Sequence, residues 1–301
     1  MIKWLFQSTG IRRNLQDEEY FSQKVSFVDY GIIPFTNKIT NLNNVYRDYL
    51  DNQEQSYVLR GGTKILKLFM TDDIKDNIED LNTEFSTEDN YSKFFNKLKS
   101  GLFYDYDAFD QAVYQKLDLP LLNKGAIVIS AEKAKYMTFS EPKFVKPSSD
   151  GKAFVGKILF PEETVEQLIL GQMHNPKIWD ETILIAPEKK VLKEWRFFVI
   201  NGEVVTGSQY HENNELKVRE FSYSNTDDVN ALSCAKEYAK LYQPAEIFTL
   251  DICLEGNNTW SIVEYNCFNC SGLYKNNLDI LKESVEGFVK NKNKLKSKFQ
   301  Y

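Results

Sequence analysis

Residues 248–274 read FTLDICLEGNNTWSIVEYNCFNCSGLY. Apolar runs on both sides of Glu255-Gly256-Asn257-Asn258 predict an antiparallel hairpin. Side chains alternate faces along a strand, so Glu264 and Asn266 share one face. With the turn centred between Asn257 and Asn258, Asp251 stands directly opposite Glu264. A register two residues away puts Asp251 opposite Ile262 and keeps it on that face. Only a one-residue slip separates the three groups. Leu250, Ile252, Ile262 and Val263 flank them and read as buried. Two carboxylates and an amide oxygen suit a hard cation such as Mg²⁺, with room left for phosphates. Without a cation the carboxylates would repel and one pKa would rise. The competing reading is a solvated sheet face.

Upstream, EWRFFVI (194–200) and EVVTGSQY (203–210) flank Asn201-Gly202, the strongest short hairpin signal because a type I′ turn needs positive φ at both positions. Arg196 lies two residues from Glu194 on one strand face. It can clamp phosphate and offset charge in a transition state, or it can form a cross-strand ion pair. Further upstream, KFVKPSSDGKAFVGKILF (143–160) puts Lys146 at a strand end, then a Ser148-Ser149-Asp150-Gly151 loop, then Lys157. Small residues let backbone N–H groups approach an anion, and lysines add point charges. A mobile surface hairpin would look the same. Neither the Walker spacing nor the dinucleotide fingerprint is present.

Three zones follow. Residues 1–115 hold the strand-like runs IKWLFQS, VSFVDYGIIPF and SYVLRGG, separated by polar stretches such as TDDIKDNIEDLNTEFSTEDN (71–90), which predicts an α/β unit with a parallel sheet. GLFYDYDAFDQAVYQKL (101–117) reads as a helix on that sheet. Residues 116–190 hold the strand AIVISAEKA, the helix EETVEQLILGQM and the strand ETILIAP. Residues 191–301 hold the two hairpins and a terminal helix, 278–299. The chain has 301 residues, 42% hydrophobic, with 21 Phe and 17 Tyr, enough for two or three subdomains with real cores. Net charge is −6, which argues against a nucleic-acid coat protein. No apolar run is long enough for a secretion signal or a membrane span, and four cysteines make no disulfide framework, so a soluble cytoplasmic protein is expected. Cys267-x-x-Cys270 lacks the second pair of a zinc site and reads as a turn where Ser271 and Gly272 meet substrate. His174 and His211 read as structural or exposed. The C-terminal lysines read as a solvated helix end, with nucleic-acid docking as the alternative.

The order of these pieces resembles an ATP-grasp protein, over roughly residues 55–275. YVLRGGTKIL (57–66) is similar to the end of the pre-grasp domain in the clade named for one arginine and two lysines. The resemblance implies an N-terminal pre-grasp α/β domain (1–115) and two α+β subdomains (116–190 and 191–301) clasping nucleotide. It implies ATP and Mg²⁺ as cofactors and an ATP-dependent ligase that joins a carboxylate to an amine through an acylphosphate. The substrates would be small molecules or peptides. A nucleotide-binding sensor without turnover is the alternative, with a nucleic-acid-directed enzyme behind it; no membrane partner is implied. By resemblance Lys146, Lys157, Ser148, Ser149 and Gly151 hold phosphates. Glu181 with the backbone of Ile183, Leu184 and Ile185 holds the adenine and ribose end, and Glu194 is a further nucleotide-binding candidate. Arg196, with Lys157, is catalytic, and Asp251, Glu264 and Asn266 are the metal ligands. Arg60, Lys64 and Ser271, then Lys217 and Arg219, are substrate candidates, with Lys193 weaker. Two departures stand out: the loop has only Gly151 and Gly156, and Pro187 directly follows a hinge without the acidic pair of some members.

Overall fold

The structure is a computed structural model describing residues 2–7, 26–32, 39–40, 42–63, 88–151, 153–170 and 176–298. It divides into two compact units. The first draws on the described residues of 1–104 with 268–273 and 282–298; the second is built from 105–267 and 274–281.

In the first unit, β1 (Ile2–Gln7) pairs in parallel with β2 (Ser26–Ile32) and with β4 (Ser56–Arg60), and β3 (Ile39–Thr40) adds an antiparallel edge, giving the order β3-β2-β1-β4. The expected parallel sheet is present. Every residue of β4 is buried, as a parallel strand covered on both faces requires. Helices α1 (Leu42–Asp51) and α2 (Glu88–Lys99) contribute an aromatic cluster: the Phe94 ring lies 5.1 Å from Tyr46, 5.3 Å from Tyr49 and 6.2 Å from Tyr57. Gly101 is required where it stands, because a Cβ would meet the Tyr57 carbonyl oxygen at 2.4 Å. Asn269, fully buried, accepts from the Phe103 N–H and donates to the Leu59 and Gly101 carbonyls. Lys64 and most of 71–90 lie outside the described residues.

The second unit contains two antiparallel sheets. One has the order β5-β8-β6-β7, from β5 (Ile127–Ser130), β6 (Lys143–Pro147), β7 (Lys157–Leu159) and β8 (Thr182–Pro187). Short helices α4 (Ala131–Ala134) and α5 (Val165–Leu170) pack Ala131, Ala134, Val165 and Ile169 against Val145, Ile183 and Ile185. The other sheet has the order β11-β10-β9-β12-β13, from β9 (Val191–Ile200), β10 (Glu203–Glu212), β11 (Glu215–Glu220), β12 (Ile247–Glu255) and β13 (Trp260–Cys267). Asn201 and Gly202 both have positive φ in the β9–β10 turn, as the sequence predicts. Helix α6 (Thr226–Leu241) covers one face of this sheet, with Asp228 accepting from the Trp195 indole at 2.8 Å. Helix α7 spans Leu278–Lys298.

Several elements depart from the sequence reading. The helix expected over 101–117 shrinks to one turn, α3 (Gln111–Tyr114), capped by Asp110, whose carboxylate accepts from Ala112 N–H at 2.8 Å. Asp105, which accepts from Ala108 N–H, competes with the helix before it. Tyr114 belongs to the second unit, where it packs edge-on to Tyr265 of β13. Helix α6 went unread because its buried stripe is Ala231, Ala235 and Ala239, too weakly apolar to show a period. Strand β11 is an exposed polar edge, and the Asn213-Asn214 turn before it, both residues with positive φ, was its available signal. Among the described residues no helix is long and apolar enough to cross a membrane.

Gly207 faces Phe197 across β10 and β9, and a Cβ there would stand 2.3 Å from the buried ring. Gly207→Ala should therefore lower stability by about 1–3 kcal/mol through overpacking, read as a lower urea midpoint.

Candidate functional site

Four strands of the larger sheet carry one rung of polar side chains. Ser208 of β10 pairs with Arg196, Arg196 with Asp251, and Asp251 with Glu264. This rung depends on an irregularity. The β12–β13 turn is centred on Asn257, with Glu255 N–H bonded to Thr259 O and Leu254 opposite Trp260. Carried on unbroken, that register would set Asp251 against Val263. A bulge between Asp251 and Ile252 absorbs one residue of β13 and restores Asp251 to Glu264.

Arg196 and Asp251 are 4% and 1% exposed, so neither belongs to a solvated face. Arg196 Nε donates to Asp251 Oδ1 at 2.8 Å and Nη2 to Oδ2 at 2.6 Å, a bidentate pair. Asn266 Nδ2 adds a third bond to Oδ2 at 3.1 Å. The guanidinium lies 5.0 Å from the Tyr274 ring centroid and 5.6 Å from that of Tyr210, two rings stacked 4.8 Å apart. The cross-strand ion pair is thus the arrangement Arg196 adopts.

Above this rung, a cavity of about 870 Å³ lies within the second unit, between β6–β7 on one side and β9, β10 and β13 on the other. Lys146 Nζ reaches across it to Glu264 Oε2 at 2.7 Å. Lys157, Ser148, Ser149, Glu194 and Asn266 also line it. Ser148, Ser149 and Asp150 are buried, and the segment is pinned on three sides. Gln111 N–H donates to Ser148 O, Ser148 N–H to Thr182 O, and Asp150 Oδ2 accepts from Cys267 N–H at 2.7 Å. The Ser148-Ser149-Asp150 part of the loop is therefore held by hydrogen bonds to three other segments.

A second bulge, at Tyr210, interrupts β10 against both neighbours between Gln209 and His211. It lets consecutive side chains, Tyr210 and His211, both line the cavity beside Glu194. Tyr210 donates its hydroxyl to Glu194 Oε2, and His211 Nδ1 stands 3.4 Å from Oε1. Burial pushes Glu194 up to about 7; the charges of Asp251 and Glu264 add to this, against the Tyr210 bond and Arg196. Burial lowers His211.

Other expected site residues sit elsewhere. Ile183, Leu184 and Ile185 pair with β5 on one side and β6 on the other, so their backbone is spent within the sheet and does not line the cavity. Glu181 does not line it either. The wall there is Pro187–Val191, just past the expected hinge. Gly151 is half-buried and outside the lining, whereas Gly156 is in it. Lys217 pairs with Glu212, and Arg219 holds Asp228 with two 2.6 Å bonds, fixing α6 to β11. Lys193 is held by Asp227 at 2.6 Å. Arg60 and Ser271 belong to the first unit, where buried Arg60 donates to the Phe268 and Ser271 carbonyls and stacks over Phe268. Arg60 there clamps the turn that Cys267-x-x-Cys270 forms, and the four cysteines are free thiols. His174 lies outside the described residues. Two residues escaped the sequence reading for want of a motif: Asp150, and Gln111, buried with both carboxamide atoms lacking a partner among the described residues.

The donor set fits a hard cation that brings phosphate oxygens. Asp251 and Glu264 sit opposite each other with Asn266 beside them, and Asn266 keeps Oδ1 to offer while Nδ2 serves Asp251. Among the described residues no three His, Cys, Asp or Glu side chains cluster to hold a metal, so protein carboxylates alone would not complete the shell. Here Arg196 and Lys146 neutralise the two carboxylates.

The fold is that of the ATP-grasp proteins. The chain is similar to the crystal structure of D-alanine–D-alanine ligase from Bacillus anthracis (TM-score 0.50, 13% identity, covering 98% of this chain and 99% of that one). Similar too are the same ligase complexed with ATP (0.44, 12%, 95% and 90%) and D-alanyl-alanine synthetase A from Vibrio cholerae O1 biovar eltor str. N16961 (0.45, 10%, 94% and 93%). No curated protein is similar enough in sequence to count as a relative. The model of the ATP-grasp domain, family 3 of the clade named for one arginine and two lysines, matches residues 104–286, more than half of the chain, and the chain belongs to that family.

Removing one partner of the buried pair strands the other charge. Asp251→Ala should cost about 3–5 kcal/mol in urea unfolding, far more than loss of a surface ion pair. Glu194 gives a pH signature. The folded state holds its proton to about 7, the unfolded chain only to 4.5, so this favourable contribution is whole below pH 4.5 and lost as pH rises to 7. In metal-free buffer, wild type should lose up to roughly 3 kcal/mol relative to Glu194→Gln over that window.

Proposed function

We propose that this protein binds ATP in the second unit's cavity and uses it to join a carboxylate to an amine. The observation that carries this reading is the 2.7 Å contact between Lys146 and Glu264. A cation suited to phosphate oxygens rests on a carboxylate suited to a metal, with Asn266 and the buried Asp251 beside it. A magnesium nucleotide would satisfy both partners at once.

On this reading Lys146 and Lys157 hold the phosphates, and the Pro187–Lys190 wall takes the adenine and ribose end in place of Ile183–Ile185. The substrate carboxylate attacks the γ-phosphorus, the bond to the β-phosphate oxygen breaks, and ADP departs. The amine then attacks the acyl carbon, phosphate leaves, and the amine gives up a proton. Mg²⁺, held by Glu264, Asn266 and Asp251, would supply neutralisation of phosphate charge. Arg196, buried against Asp251, orients that carboxylate and contributes positive charge from below. One boundary supports the proposed division between 116–190 and 191–301: β8 closes one sheet at Pro187 and β9 opens the next at Val191. Four free thiols fit a reducing, cytoplasmic setting.

Thermal unfolding with ATP, with and without Mg²⁺, tests the reading. Ligand at about 100 times Kd should stabilise wild type by roughly 2.7 kcal/mol, a shift dependent on Mg²⁺ and weakened by Glu264→Gln. A melting temperature unmoved by millimolar ATP and Mg²⁺ would overturn it. A shift without ADP release in a screen of carboxylates and amines would favour the nucleotide sensor.

A further inference from the structure

We propose that Asp150 is a positioning residue that keeps the phosphate-facing strand end in register with the metal-facing strand while ligand is bound. The inference rests on the reading that a nucleotide occupies this cavity.

Side-chain ties cross from β6 and the loop after it to β13. Lys146 binds Glu264 at 2.7 Å, and Asp150 binds the Cys267 N–H at 2.7 Å. They differ in kind. The first joins two side chains that phosphate and cation would each claim, so ligand binding releases it. The second ends on the backbone N–H of Cys267, a residue that does not line the cavity. Cys267 is the residue after Asn266, and Asp150 lies four residues past Lys146, so this tie brackets the site at its far end. Asp150 is 7% exposed and Cys267 fully buried, which keeps water from substituting for the bond. The backbone bonds of Ser148 run to Gln111 and Thr182 and do not themselves end on β13. Once Lys146 turns to phosphate, Asp150 remains as a side-chain tie to the strand bearing Glu264 and Asn266. A hydrogen bond to a charged acceptor is strong enough to affect affinity by about tenfold.

The test compares Asp150→Ala and Asp150→Asn in the full chain, alone and combined with Lys146→Met. Without ligand, exchange of the Cys267 amide proton should quicken in Asp150→Ala and stay slow in Asp150→Asn, which keeps an acceptor oxygen. With ATP and Mg²⁺, calorimetry should show Kd about tenfold weaker for Asp150→Ala and largely rescued in Asp150→Asn. In the Lys146→Met background the Asp150→Ala loss should shrink, because the releasable tie is already gone. A purely structural role would give additive losses and a lower melting temperature with unchanged ATP affinity. Either result, or unchanged Cys267 exchange, would overturn the proposal. Should Asp150→Ala not fold, Asp150→Glu takes its place; it keeps the charge at the wrong length, and the same affinity loss is expected. Failure of wild type to bind ATP would sink the nucleotide reading instead, and the Cys267 exchange result distinguishes the two failures.

Discussion

The buried pair of Arg196 and Asp251 is the constraint on which the larger sheet depends. Two full charges removed from water are costly unless each finds close partners. Here the guanidinium meets its carboxylate through two bonds, and Asn266 supplies a third to the same carboxylate. That requirement sets β9 against β12 and β12 against β13 with no freedom to slip. The bulge after the β12–β13 turn follows from it, since an unbroken ladder would leave Asp251 facing Val263. The same rung delivers Glu264 to the cavity.

Charge at the site is balanced in layers. The deep layer, Arg196 with Asp251, is closed to solvent and closed on itself. The upper layer, Lys146 with Glu264, is 13% and 26% exposed and open to the cavity. A ligand bringing both negative phosphate and positive metal would exchange one ion pair for two without leaving a bare charge. That asymmetry is why the upper pair reads as the working contact and the lower pair as its support. It also separates the roles of two residues on neighbouring strands. Glu264 is accessible, whereas Asp251 is already held.

Much of this was legible in the residues. The Asn201-Gly202 hairpin, the shared face of Glu264 and Asn266, and the parallel first sheet follow from local rules of turn chemistry and period. Asp251 opposite Glu264 was also legible, although the expected turn centre was half a residue off and the bulge corrected it. The hinge falls on Ile183–Ile185 by the resemblance of ETILIAP to the family's hinge strand. The tertiary structure gives them neighbours on both sides, which removes their backbone from the cavity. The resemblance makes Arg60 a substrate candidate, on the side of the N-terminal domain that would face the cleft. Its guanidinium is used on the carbonyls of a turn more than two hundred residues away, a partner no local pattern announces.

By itself, the sequence determined which residues could carry the chemistry and which strand face they share, because alternation is a property of the single strand. Only the tertiary structure decided which charge neutralises which. Lys146 and Glu264 come from different sheets, and Asp150 and Cys267 lie over a hundred residues apart. Such pairings depend on where two sheets are brought together, and long-range packing, not local propensity, sets that.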